Sequence, residues 1–147
     1  MLAVVEIILR KVSTINMKDN NELSAEVLES AIDYLPRLIN GLTKASVYFN
    51  NDKPLEGYQI LYDANEGLMW FNQVVQSLPI LLPQGENAIE IENKWEPYLA
   101  ALNSMLSSIE NKDEIAISQT LENEIVPYIE LVYQKINNLR RVFEYKQ

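Results

Sequence analysis

The sequence predicts an all-α protein, an up-and-down four-helix bundle, and three observations predict it. Four long segments carry apolar residues at alternating spacings of three and four. No stretch of comparable length alternates with the two-residue period of a strand. The links between segments are short, which sets neighbouring helices antiparallel. Composition agrees: 147 residues suit one domain, and four glycines and six prolines are too few for a turn-rich all-β fold.

The elements follow in order. In residues 1–20, Val5, Ile8, Val12 and Ile15 stand at helical spacing and favour a short extra helix. The β-branched content there leaves a strand or an arm open. Residues 22–79 read as a first helical hairpin. Its first helix carries Leu28, Ala31, Leu35, Leu38, Leu42, Ala45 and Phe49, and its second carries Tyr58, Leu61, Leu68, Phe71, Val75 and Leu78, with Asn65 as one polar position in the seam. Between them, Asp52 is the expected N-cap and Pro54 falls in the first turn, where its missing N–H costs nothing. Gly85 breaks the next link. Residues 86–145 read as a second hairpin, with Trp95, Leu99, Leu102, Leu106 and Ile109, then Leu121, Ile125, Tyr128, Val132, Ile136, Leu139 and Phe143. Asp113 is the expected cap of the last helix.

Pro36, Pro97 and Pro127 fall inside three of these runs, and Gly67 holds the matching place in the fourth, giving spacings of 31, 30 and 30 residues. A mid-helix proline removes one backbone hydrogen bond and bends the axis, so these four positions are expected kinks at one level. The freed carbonyls are those of Ile32, Asn93 and Asn123. Shifting the first hairpin by about 60 residues onto the second pairs Leu42 with Leu102, Phe49 with Ile109 and Leu61 with Leu121. After one inserted residue, Phe71 pairs with Val132 and Leu78 with Leu139. Two hairpins of one design are the natural reading.

The formal charge is −9, unevenly spread. Residues 52–134 hold fourteen acidic side chains against Lys53, Lys94 and Lys112, a local charge of −11. Such a surface repels phosphate backbones, so nucleic acid is not an expected partner. Lys135, Arg140, Arg141 and Lys146 reverse the sign at the end, as suits a helix C-terminus. The N-terminal segment carries Glu6 within its apolar stretch and Arg10–Lys11 after it. That is neither the charge order of a secretory signal nor a membrane span of about 20 apolar residues. The chain is read as soluble and cytoplasmic, with no membrane partner.

There is no cysteine and no histidine. Disulfides, thiolate nucleophiles, Cys/His zinc sites and Ser–His catalysis are therefore out of reach, and no glycine-rich phosphate loop occurs. The carboxylate pairs Asp63/Glu66 and Glu92/Glu96 lie at i,i+3 and i,i+4 spacing. Without the Glu-x-x-His pattern of di-metal bundles they read as a solvated face, and no metal or cofactor is expected. The aromatics are the more informative group. Trp70 and Phe71, and Trp95 and Tyr98, stand beside the expected kinks. Neighbours on a helix point about 100° apart, so Trp70 and Phe71 cannot both centre one seam.

At LPRLINGLTKASVYFNNDKPLEGYQILYDANEGLMWFNQVV the chain resembles small uncharacterised helical proteins of low-GC Gram-positive bacteria. In these, a Leu-Pro-x-Leu helix, a polar turn and a Gly-Leu-x-Trp helix follow in order; the resemblance implies no catalytic residues. More distantly, in architecture and charge alone, it is similar to the flagellar export chaperones, acidic bundles that clasp a secreted subunit's helix. The expected function is a non-enzymatic adaptor, chaperone or regulator that takes a basic or amphipathic partner helix, with Trp70, Phe71, Trp95 and Tyr98 as anchors. The alternatives are a small-molecule or divalent-ion site using Asp63, Glu66, Glu92 and Glu96, and a self-associating structural protein.

Overall fold

The computed structural model describes the backbone of residues 20–81 and 86–145, and the side chains of residues 26–78 and 88–139. The expected N-terminal helix and the Gly85 break lie outside the described residues. Helix α1 runs Asn20–Asn50 and α2 Pro54–Leu81. Helices α3 (Glu86–Asn93) and α4 (Trp95–Glu110) form one bent rod. The last rod comprises α5 (Glu114–Thr120), a π-helical turn (Leu121–Ile125) and α6 (Val126–Tyr145). Four rods and no strand among the described residues make an all-α bundle. α1 packs along α2 on one side and along α5 and α6 on the other, while α4 packs on α5 and the π turn.

The amphipathic pattern explains the core. Leu35, Leu42 and Ala45 of α1, Phe71 of α2, and Ile117, Leu121, Ile125, Ile129, Val132 and Ile136 of the last rod are buried almost completely. Two expected seam positions are corrected: Leu106 is exposed and Met105 takes its inward place on α4, and α2 shows the same shift by one residue. Asn65 is exposed, and Ala64 takes the inward place between Leu61 and Leu68. A methyl group there fills the core position without burying an amide.

The two hairpin turns have the same geometry sixty residues apart. Lys53 N–H donates to the Tyr48 carbonyl at 2.9 Å, and Asp113 N–H to the Ser108 carbonyl at 2.9 Å. Asp52 (φ 59°) and Lys112 (φ 53°) hold the left-handed position that closes each helix. Asp52 is therefore the terminator of α1 rather than the N-cap of α2, and Pro54 opens α2 directly. Asp113 does cap α5, its Oδ1 accepting from Ala116 N–H at 3.2 Å.

The four breakers take four different forms. Pro36 sits within α1, which continues through it. Pro97 stands in the first turn of α4, because its ring opposes the Asn93 carbonyl and the rod bends at Lys94. Pro127 follows the π turn, in which Val126 N–H reaches the Leu121 carbonyl five residues back. Gly67 interrupts nothing: α2 runs through it, and its missing side chain makes room for Tyr34. A π turn takes up one extra residue in a helix. It lies between Leu121 and Val132, the interval in which the overlay of the two hairpins requires its single insertion.

Candidate functional site

Three of the four expected anchors are interior. Trp70 is 1% exposed, Phe71 0% and Tyr98 1%, and Trp95 is half-buried. Side chains so enclosed present no surface to a partner. The expectation that Trp70, Phe71 and Tyr98 anchor a partner is therefore corrected, and the reason is geometric. α2 is covered on two sides, so neighbours 100° apart are both buried. Tyr34 of α1 meets the Trp70 face edge-on at 5.1 Å. Phe71 meets Tyr98 of α4 at 5.7 Å and Tyr128 of α6 at 6.0 Å, both edge-on.

Tyr98 and Tyr128 each follow a proline and stack at 4.5 Å with their planes 18° apart. Their hydroxyls tie rods together. Tyr98 Oη donates to Asn72 Oδ1 at 2.8 Å, linking α4 to α2, and Tyr128 Oη donates to the Ile91 carbonyl at 3.1 Å, linking α6 to α3. The Trp70 Nε1–H and the Tyr58 hydroxyl are buried with no hydrogen-bond partner among the described residues. On the outer side of the stacked pair, Pro97 and Pro127 line a shallow cleft of about 210 Å³ with Lys94, Asn123, Glu124 and Leu131.

Burial pushes the Tyr128 phenol far above its usual range, and Tyr98 likewise, with Tyr128 adding to it. Burial, then the Glu66 charge, raises Tyr34. The native state therefore keeps protons that the unfolded chain releases above about pH 10. Stability is unaffected below that pH and falls as pH rises above it. On alkaline titration, these tyrosines are expected to ionise together with the loss of far-ultraviolet circular dichroism. Early, graded tyrosinate absorbance from all eight tyrosines with the helix signal intact would contradict this burial.

The carboxylates do not converge. Asp63 and Glu66 lie on the outer face of α2, and Glu96 is exposed on α4. Glu92 stands at the mouth of an apolar cavity of about 150 Å³ walled by Val75, Leu78, Ala88, Ile91 and Trp95. Among the described residues, no three metal-ligating side chains gather in one place. Glu90 bonds Lys135 at 3.0 Å and Lys94 at 3.6 Å; the Lys135 hydrogen bond and charge hold its carboxyl below the usual range. This half-buried pairing joins α3 to α6.

The surface holds what the seam analysis passed over. Leu55 is 78% exposed, Tyr62 80% and Met69 58%, all on α2 and seven residues apart. Seven residues fall about 20° short of two full turns, so the three form one stripe on the outer face. Val47, Ile89, Leu106 and Ile115 are also exposed, but on four different helices. Single exposed apolar residues need no explanation, whereas an aligned set on one helix marks a surface. The signal was present in the sequence as a second period, out of phase with the buried one.

No described helix is long and apolar enough to cross a membrane. Neither the curated proteins nor the solved structures contain a match to the chain. Residues 26–135, which include both hairpin turns, the aromatic level and the α2 stripe, match the model of the domain of unknown function DUF8042, and the chain belongs to that family.

Proposed function

We propose that this protein is a non-enzymatic protein-binding module, an adaptor, chaperone or regulator, that engages a partner helix along the outer face of α2. The observation that carries this reading is the exposed Leu55–Tyr62–Met69 stripe on a helix whose opposite face is packed into the bundle. Large apolar side chains held by a rigid scaffold supply anchors in the helix-in-groove mode. The likeness to acidic bundles such as the flagellar export chaperones, and a cytoplasmic, bacterial setting, fit the same reading. Tyr62→Asp combined with Met69→Asp leaves the buried face untouched. This variant is expected to melt like the parent and to lose one stoichiometric partner in affinity capture from lysate. Identical capture by parent and variant would overturn the α2 face as the binding surface.

The apolar cavity beside Trp95 favours a second reading, a small-molecule site with Glu92 at its mouth. A saturating ligand at one hundred times its dissociation constant would add about 2.7 kcal/mol of stability, readable as a thermal shift.

A further inference from the structure

We infer that the partner on α2 is an amphipathic helix with lysine or arginine along one flank of its apolar stripe, rather than a second copy of this chain. The inference rests on the binding reading above and names the chemistry of its occupant. From Pro54 to Leu81, α2 carries three carboxylates, Glu56, Asp63 and Glu66, and no lysine or arginine. At 100° per residue all three fall on the same side of the Leu55–Tyr62–Met69 line, within about a third of a turn. The stripe is otherwise bordered by uncharged Gln59, Asn65, Gln73 and Gln76, all exposed. None of the three carboxylates forms an ion pair with a described residue, so the acidic rail is uncompensated within the bundle.

The rail decides between occupants. An antiparallel second copy would set the three carboxylates against their own counterparts. A parallel copy would bring no cation either, because α2 has none. A chain of net charge −9 adds long-range repulsion to both. A partner helix with apolar residues every seventh position and cations on one flank meets the stripe and the rail together. Interfacial charge of this kind sets partner choice and association rate more than raw affinity.

The test uses the full chain and a displayed library of three-heptad helices with leucine fixed in the apolar positions. The flanking positions vary over lysine, glutamate and glutamine, and binders are counter-selected on the Tyr62→Asp/Met69→Asp variant. Enrichment of lysine on one flank is the expected result. Binding of the winners should weaken roughly tenfold on raising salt, and similarly in the Glu56→Gln/Asp63→Gln/Glu66→Gln variant. Winners with no preference for lysine, or no winners at all, overturn the inference. So does a sedimenting dimer of the parent that Tyr62→Asp dissolves, which assigns the surface to a second copy. If lysate capture depends on Tyr62 while the library shows no cation preference, the binding module stands and only its charge rule falls. If neither depends on Tyr62, both fall.

Discussion

Replacing Phe71 by alanine is expected to cost about 3–5 kcal/mol of unfolding free energy, the range for removing a buried aromatic ring. Phe71 is fully enclosed and touches Tyr98 and Tyr128 edge-on, so its loss leaves a hole between α2, α4 and α6. The cost exceeds simple transfer from water because the stacked tyrosines are pinned and cannot close the gap. Tyr98 is held by Asn72 and Tyr128 by the Ile91 carbonyl. Urea denaturation followed by circular dichroism measures it. A loss below about 1 kcal/mol would mean that the four rods do not meet at this level. A marginally stable domain could unfold outright, and Phe71→Leu then gives a graded reading in the same direction.

Gly67→Ala is the second large effect, and its sign runs against helix propensity. Alanine inside a helix is ordinarily favoured over glycine by about 1 kcal/mol. Here the added methyl carbon would meet the Tyr34 hydroxyl oxygen far inside contact distance, with the ring carbon behind it at 2.9 Å. Tyr34 is buried against Trp70 and has little room to retreat. Overpacking of this kind costs about 1–3 kcal/mol, occasionally more, and the near-coincident atoms put this case at the upper end, so after the propensity gain a net destabilisation of about 1–2 kcal/mol is expected. Two comparisons isolate the cause. Gly41→Ala, whose new methyl would meet Ile60 at an ordinary 3.8 Å, should instead stabilise. In a Tyr34→Phe background the Gly67→Ala penalty should shrink, because the nearest clashing atom is gone. Equal penalties in the two backgrounds would show that the close approach is not the cause.

Both effects arise from one arrangement. Each breaker sits beside an aromatic residue: Pro36 near Tyr34, Gly67 near Trp70, Pro97 before Tyr98 and Pro127 before Tyr128. Two of these neighbours, Trp70 and Tyr98, are expected from the sequence as anchors of a binding surface. In the bundle they are the level at which the rods are locked. The breakers leave the rods room to bend, step or approach around bulky rings: a bend at Lys94, a π turn before Pro127, and a bare glycine under Tyr34.

Much of the fold was legible without coordinates. The 3–4 spacing of Leu35, Leu42, Phe71, Leu121, Ile125 and Ile136 marked residues that are buried. The cap at Asp113 and the chain reversals at 50–54 and 110–114 followed from local chemistry that acts within a few residues. The single insertion in the hairpin overlay falls where the π turn lies, since an extra residue in a helix must be absorbed locally. Periodicity, caps and breakers are properties of one segment, and one segment is enough to read them.

What only the tertiary structure decided is how many sides of each helix are covered. Wheel geometry could say that Trp70 and Phe71 point about 100° apart, but not that α2 is packed on both of those sides. That depends on Tyr34 arriving from one rod and Tyr98 and Tyr128 from two others. The same coverage leaves Leu55, Tyr62 and Met69 outside, although their residue types alone would place them in a core. Burial is a property of neighbours distant in the chain, so the sequence by itself determined an acidic four-rod helical bundle, and packing alone decided which of its apolar residues face water.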